Sequence, residues 1–104
     1  MRWLLSEYKQ KIILSKLEYG ILKFIQENLG YIARDEDGNL FAFCLKPEKN
    51  VDFWDCDIKK NATYAHDLTV FNKLFDFIKW EDEEPTLIEE VLENCEVIEN
   101  ESSE

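Results

Sequence analysis

The sequence predicts an α+β fold, in which a long N-terminal helix packs on an antiparallel sheet of three or four strands and a short acidic helix lies near the C-terminus. Three observations support this prediction. Apolar residues recur at helical spacing within residues 4–29, apolar and aromatic residues alternate on either side of Asp37 and Gly38, and a second helical stripe follows Pro85. Recurrence every three to four residues is typical of an amphipathic helix, and alternation is typical of a strand.

The segment 4–29 is predicted to form one helix. Its apolar stripe comprises Leu5, Tyr8, Ile12, Leu17, Ile21, Phe24 or Ile25, and Leu29. Ser6 is a suitable N-cap and Gly30 a suitable residue to end the helix. Gly20 inside a helix costs about 1 kcal/mol relative to Ala, so it either divides the segment or permits close packing. We expect a single continuous helix.

Residues 31–46 are predicted to form a β-hairpin. Asp37-Gly38 supplies the turn, because glycine readily adopts the positive φ that tight turns require. In the second strand both faces are apolar, Leu40, Ala42 and Cys44 on one and Phe41, Phe43 and Leu45 on the other. A strand of this kind is expected to be central or covered on both sides. A calcium loop is excluded, since Gly38 at its sixth position would place Ala33 and Cys44 where acidic ligands are required.

The middle of the chain is less regular. Residues 51–58 are predicted to form a short third strand, residues 59–74 a loop with a short helix, and residues 75–80 a last strand. The pattern Thr86-x-x-Glu89 fits a capping box, so we expect the acidic helix to begin there. Its apolar face comprises Ile88, Val91, Leu92 and Cys95. We therefore expect a single domain over residues 1–96 and an acidic, disordered tail over residues 97–104.

Charge is distributed very unevenly along the chain. Residues 1–75 carry 11 basic and 11 acidic residues, whereas residues 76–104 carry 12 acidic residues and one lysine, so the whole net charge of −11 lies in the C-terminal segment. Like charges such as Glu89 and Glu93, one helical turn apart, cost roughly 0.2–0.5 kcal/mol per pair. The acidic surface is therefore either a device for solubility or a surface that binds a basic partner.

The sequence contains no pattern that indicates an enzyme. His66 is the only histidine, three glycines are too few for a phosphate-binding loop, and no nucleophile motif occurs. The spacing of Asp55, Asp57 and the three cysteines supports no defined metal site, and no cofactor is expected. Cysteines without paired spacing favour reduced thiols, and no signal peptide or membrane-spanning segment is recognisable, so a cytoplasmic protein is expected.

Two segments resemble a known family. The sequence YIARDEDGNLFAF with the following KPEK, and later FDFIKWEDEEPTLIEEVL, are similar to a family of short uncharacterised proteins encoded by phages and prophages of low-GC Gram-positive bacteria. The resemblance covers residues 31–49 and 75–92, and this chain has Asp76 where the family pattern has proline. It implies no catalytic residues. It implies a phage accessory protein, a class in which many small acidic members bind host defence machinery, including anti-CRISPR proteins that occupy the surface meant for DNA.

Two hypotheses about function follow. In the first, the protein is a stoichiometric inhibitor whose carboxylates mimic DNA phosphates and bind the basic surface of a host nucleic-acid-binding defence protein. The partner-binding residues would be Glu81, Asp82, Glu83, Glu84, Glu89, Glu90 and Glu93, with Trp54 and Trp80 as aromatic anchors. In the second, it is a phage adaptor or assembly protein that binds through an apolar aromatic surface, which could include a homo-oligomer. Direct binding to DNA, RNA or an anionic membrane is disfavoured, because each would repel the chain.

Overall fold

The computed structural model describes residues 11–56 and 65–98. Within these ranges the fold is α+β, with two short helices and eight short strands. In chain order the elements are strand β1 (Ile12–Ser15), helix α1 (Lys16–Ile25), strands β2 (Tyr31–Arg34), β3 (Leu40–Phe43), β4 (Glu48–Lys49), β5 (Trp54–Asp55) and β6 (Ala65–Asp67), a 3-10 turn (Thr69–Phe71), strand β7 (Thr86–Leu87), helix α2 (Ile88–Asn94) and strand β8 (Cys95–Ile98).

The predicted hairpin is confirmed. Strands β2 and β3 pair antiparallel with Tyr31 opposite Phe43 and Arg34 opposite Leu40. Gly38 has a φ of 93°, the left-handed region that an L side chain rarely adopts. The hairpin forms the centre of a four-stranded antiparallel sheet in the order β6-β3-β2-β7.

Both faces of β3 are covered, as its two apolar faces predict. Leu40 and Ala42 belong to the larger core, together with Ile32 of β2. Phe43 belongs to a smaller core on the opposite face, with Ala33, Trp54 and Cys56. The alternation of side chains along the strand therefore divides the interior into two clusters, one on each side of the sheet.

The predicted architecture, a long N-terminal helix packed on the sheet, is wrong. Residues 4–10 lie outside the described ranges, and Ile12–Ser15 form β1, which pairs parallel with β8. Helix α1 begins only after Ser15, whose hydroxyl accepts a hydrogen bond from the Glu18 N–H at 3.1 Å while the Glu18 carboxylate accepts one from the Ser15 N–H at 2.9 Å. This capping box fixes the start of the helix. The β-branched Ile12 and Ile13 instead suit a strand.

Helix α1 contains 10 residues and continues through Gly20 without a break. It packs mainly against β1, β8 and α2. Leu22 is fully buried, and Tyr19, Ile21 and Ile25 are partly buried against the larger core. The helix thus closes one side of that core and leaves its opposite face to solvent.

The strand predicted over residues 75–80 is also wrong, because this segment forms turns. Phe75 is fully buried and has a φ of 59°, which a strand cannot contain. Its N–H donates to Oε2 of Glu18 at 2.7 Å, and its carbonyl accepts from the Ile78 N–H at 2.9 Å. The edge strand next to β2 is β7, which pairs Thr86 with Ile32.

Helix α2 begins one residue later than the predicted N-cap Thr86 requires. Its N-cap is Leu87, which makes no side-chain capping bond, so the expected capping box at Thr86 is wrong. Ile88 and Val91 are buried, as the predicted apolar face requires. Strand β8 follows directly and extends to Ile98, into the segment expected to be a tail, and residues 99–104 lie outside the described ranges.

Two further predictions for the middle of the chain need correction. In place of a third strand over residues 51–58, β5 is only Trp54–Asp55 and pairs antiparallel with β4. Residues 57–64 lie outside the described ranges. After them, Ala65–Asp67 form the edge strand β6, which the sequence did not indicate, followed by the 3-10 turn. Strand β6 is polar and exposed, so it lacked the apolar alternation by which strands are recognised.

Candidate partner-binding surface

Six of the seven predicted acidic residues have exposed side chains: Glu81, Glu83, Glu84, Glu89, Glu90 and Glu93. Asp82 is half-buried and shapes the turn that leads into the acidic segment. Its Oδ2 accepts a hydrogen bond from the Lys79 N–H, and its backbone N–H donates to the Lys79 carbonyl, both at 3.1 Å. The Asp82 carbonyl accepts a third bond, from Nζ of Lys49 at 2.8 Å. This carboxylate therefore has a structural role as well as a charge.

The fold brings three of the acidic residues together in one groove of about 290 Å³. Asp82, Glu84 and Glu90 line this groove, and no lysine or arginine from the described ranges lines it. The remaining lining residues, mostly apolar, are Ile12, Phe77, Pro85, Thr86, Leu87, Val91 and Asn94. We call this feature the acidic groove. It combines negative charge with apolar surface, which the alkyl stem and charged end of a lysine or arginine could both contact.

One end of the acidic segment lies beside lysines from earlier in the chain. Nζ of Lys46 is 3.1 Å from Oε1 of Glu84, in the only ion pair found within residues 11–56 and 65–98. Lys46 and Lys49 also line a second groove with Glu83 and Glu84. Both members of the ion pair are exposed, so the pair contributes at most about 1 kcal/mol. Basic and acidic residues that are separated along the sequence therefore lie partly side by side in the folded protein.

The other predicted acidic residues lie outside the acidic groove. Glu89 and Glu93 lie on the exposed side of α2, one turn apart. Glu81 lines a different cavity, with Arg34, Asp76 and Trp80. With Glu83 in the second groove, the predicted acidic surface therefore consists of the acidic groove and three outlying parts.

The two predicted aromatic anchors lie against each other in the fold. Trp54 is only 5% exposed, and its Nε1 donates to the Arg34 carbonyl at 3.1 Å. Trp80 is half-buried and meets Trp54 edge to face, with ring centroids 6.4 Å apart. Nζ of Lys49 lies 4.3 Å from the Trp80 ring centroid, a cation–π contact. Trp54 therefore offers little surface to a partner, whereas Trp80 is partly exposed and lines the cavity that contains Glu81.

Arg34 is a site residue that the sequence reasoning missed. Its guanidinium donates to five carbonyls, those of Gly38, Asn72, Leu74, Phe75 and Ile78, at 2.8–3.0 Å. These bonds fix the segment 72–78, from which the acidic turn continues. An arginine inside an otherwise apolar strand, next to a tight turn, was the available signal.

The shifted pKa values of Asp35 and Cys56 are explained by burial and by neighbouring groups, so they do not indicate a catalytic site. Burial raises the pKa of Asp35, and repulsion from Asp37 and Asp52 adds to the effect, although the Trp54 N–H bound to its carboxylate opposes it. Burial likewise raises the pKa of the Cys56 thiol, which stays protonated and unreactive at neutral pH. The parts of the chain that the structure describes contain no group of three or more potential metal ligands.

The chain was compared with known proteins in three ways. No family model matches it, and neither the curated proteins nor the solved structures include a significant match. Across residues 11–56 and 65–98, no helix is long and apolar enough to cross a membrane.

Proposed function

We propose that the protein acts by binding, and that the acidic groove with the neighbouring Glu89 and Glu93 engages a basic protein surface that normally receives nucleic acid. The observation that carries this proposal is the composition of the groove. Three carboxylates lie among mostly apolar lining residues, and within the described ranges only that of Glu84 is paired with a cation, Lys46, which does not line the groove. Such a site favours an arginine or lysine side chain over an anion or a neutral group.

The groove suits this role because its parts are held in place before a partner arrives. Asp82 is bonded within its turn, and Arg34 fixes the segment that leads to Phe77. A preorganised site loses less conformational entropy on binding. The net charge of −11 adds long-range attraction toward a basic surface, which raises the association rate.

The inhibitor role rests on this surface together with the resemblance to phage proteins. In this proposal the protein works in the cytoplasm of a bacterial host, as a stoichiometric, anti-CRISPR-like inhibitor without catalytic activity. Its acidic surface competes with the phosphates of DNA for a host defence protein. Direct contact with nucleic acid or an anionic membrane is disfavoured by charge repulsion.

The test is a set of charge reversals with a matched control. The variant Glu83→Lys, Glu84→Lys and Glu90→Lys changes exposed residues in or beside the acidic groove. The control, Glu36→Lys, Asp55→Lys and Glu96→Lys, makes the same change in net charge at exposed positions that do not line it. Each variant and the wild type is used to capture proteins from a lysate of infected host cells at physiological salt. The groove variant is expected to lose the captured protein and the control to retain it. Retention by both at unchanged salt dependence would contradict the proposal.

A second function, that of an adaptor or assembly protein, is favoured by a different observation. Leu17 and Phe24 on α1 are exposed apolar side chains, 59% and 78% exposed. Leu17 and Phe24 lie on α1, and not on the aromatic strands that were expected to form the apolar binding surface. Association through these residues would respond weakly to salt, whereas association through the acidic groove would weaken steeply as ionic strength rises.

A further inference from the structure

The outer edge of strand β7 forms part of the acidic groove. Within residues 11–56 and 65–98, β7 pairs only with β2, at one end of the sheet ordered β6-β3-β2-β7. Pro85, Thr86 and Leu87 all line the groove, beside its three carboxylates. The groove therefore contains the backbone of a strand edge in addition to charged and apolar side chains.

The register of β7 shows which of its backbone groups point away from the sheet. Thr86 lies opposite Ile32, and the Ile88 N–H donates to the Gly30 carbonyl at 2.9 Å. In an antiparallel pair, successive residues direct their N–H and C=O groups alternately toward and away from the neighbouring strand. Thr86 and Ile88 therefore bond toward β2, whereas the N–H of Leu87 between them points away from it.

A carbonyl next to this N–H points in the same direction. The peptide bond between Pro85 and Thr86 is trans, so the Pro85 carbonyl points opposite to the Thr86 N–H and away from β2. Among the described residues, neither this carbonyl nor the Leu87 N–H has a hydrogen-bond partner. One residue of an extended segment parallel to β7 can satisfy both groups, because it donates its N–H to Pro85 and accepts the N–H of Leu87.

We propose that the basic partner enters the acidic groove as an extended segment that adds a parallel strand to the outer edge of β7. This inference rests on the proposed function, because it names the form in which the partner occupies the same groove. In strand addition, backbone bonds give affinity and alternate side chains give specificity. An antiparallel segment would instead need the Leu87 carbonyl, which lies at the N-cap of α2 and serves the first turn of that helix.

Charge selects the side chain that this segment places in the groove. Residues side by side on adjacent strands share one face of the sheet, so the residue beside Thr86 shares the face of Ile32, which belongs to the larger core. Ile12 and Val91 of the groove contribute to the same core. The stem of a lysine or arginine at this position contacts these apolar residues, and its charged end lies among the carboxylates. An acidic side chain at this position is repelled.

The first experiment is an NMR titration of the full, ¹⁵N-labelled chain with a capped peptide of sequence TSTKTST, whose single lysine sets the register. The Leu87 amide proton is expected to shift downfield as it gains a hydrogen bond. Replacement of the lysine by glutamate should abolish binding. N-methylation of the lysine removes the N–H that meets the Pro85 carbonyl and should weaken binding about two- to tenfold. N-methylation of the next threonine is the matched control and should have little effect, because its N–H points away from β7.

The second experiment removes the donor from the protein. Leu87→Pro deletes an N–H that the described fold does not use, and the φ of −87° at Leu87 is close to the value that proline requires. Leu87→Ala is the matched control, since it removes the side chain and keeps the N–H. The proline variant is expected to bind the peptide about two- to tenfold more weakly than the alanine variant. Circular dichroism checks that both variants are folded.

The outcomes separate this inference from the proposed function. A peptide that does not bind wild type, or that binds equally well whichever N–H is removed, would overturn the strand addition. The proposed function would still stand in that case if the reversal at Glu83, Glu84 and Glu90 loses the protein captured from host lysate.

Discussion

Phe75 shows how two charged side chains hold an unfavourable backbone conformation. Its φ of 59° costs about 1–2 kcal/mol for an L-residue. Glu18 accepts its N–H, and Arg34 donates to its carbonyl at 3.0 Å. The same Glu18 carboxylate completes the capping box of α1, so the helix start and the turn before the acidic segment depend on one side chain.

At the residue scale, Asp35 predicts a measurable pH dependence. Folding raises its pKa from the ordinary 3.8, chiefly by burial. A group of this kind contributes stability below its unfolded pKa and loses that contribution as pH rises through the folded value. Asp35→Asn keeps an oxygen acceptor for the Trp54 N–H and removes the charge. It is therefore expected to be more stable than wild type at pH 7, with the difference shrinking as the pH falls toward 3.8.

Asp67 serves as the control for that prediction. Hydrogen bonds from the hydroxyl and the N–H of Thr69 lower its pKa, so its contribution is present at neutral pH and is lost as the pH falls through the lowered value. Asp67→Asn should thus be destabilising at pH 7, opposite in sign to Asp35→Asn. Urea denaturation between pH 3 and 7 measures both. A destabilised Asp35→Asn at pH 7 would contradict the burial argument.

At the scale of elements, two stretches of the sequence fit the same capping pattern. Ser15-x-x-Glu18 and Thr86-x-x-Glu89 both match S/T-x-x-E. Only the first forms the box, because β7 holds Thr86 in an extended pair with β2 and α2 starts after Leu87 without a side-chain cap. Sheet pairing with a distant strand therefore overrides the local signal at Thr86.

This difference yields a paired prediction. Ser15→Ala removes the hydroxyl that accepts the Glu18 N–H, and it is expected to cost about 0.5–2 kcal/mol of stability. Thr86→Ala removes no capping bond and should cost clearly less. Thermal unfolding followed by circular dichroism gives both values. Equal losses, or a larger loss at Thr86, would show that the helix starts are wrongly placed.

The elements that the sequence predicted correctly are those set by neighbouring residues. Asp37-Gly38 dictates the hairpin locally, and the alternation in β3 indicates a strand covered on both faces. Strands β1, β6 and β8 pair with segments that lie far away in the chain, so local patterns alone did not predict them. For the candidate site, six of the seven acidic side chains are exposed, whereas Asp82 is half-buried because it is bonded within its turn. The burial of Trp54 was not foreseen, because it depends on packing against Phe43 and Ala33.

At the scale of the whole molecule, folding places residues of the neutral segment 1–75 beside residues of the acidic segment 76–104. The lysines at 46 and 49 come from the neutral N-terminal part and lie beside Glu83 and Glu84. Glu84 also lines the acidic groove, together with Asp82, Glu90 and mostly apolar residues.

We propose that the acidic groove binds the partner surface that normally receives nucleic acid. A competition measurement tests this proposal most directly. A fluorescent DNA duplex is bound to the protein captured from host lysate, and its anisotropy is followed as the acidic protein is added. Wild type is predicted to displace the duplex with one-to-one stoichiometry, and the variant reversed at Glu83, Glu84 and Glu90 should fail to do so. Simultaneous binding of wild type and duplex, with the affinity for DNA unchanged, would contradict the account.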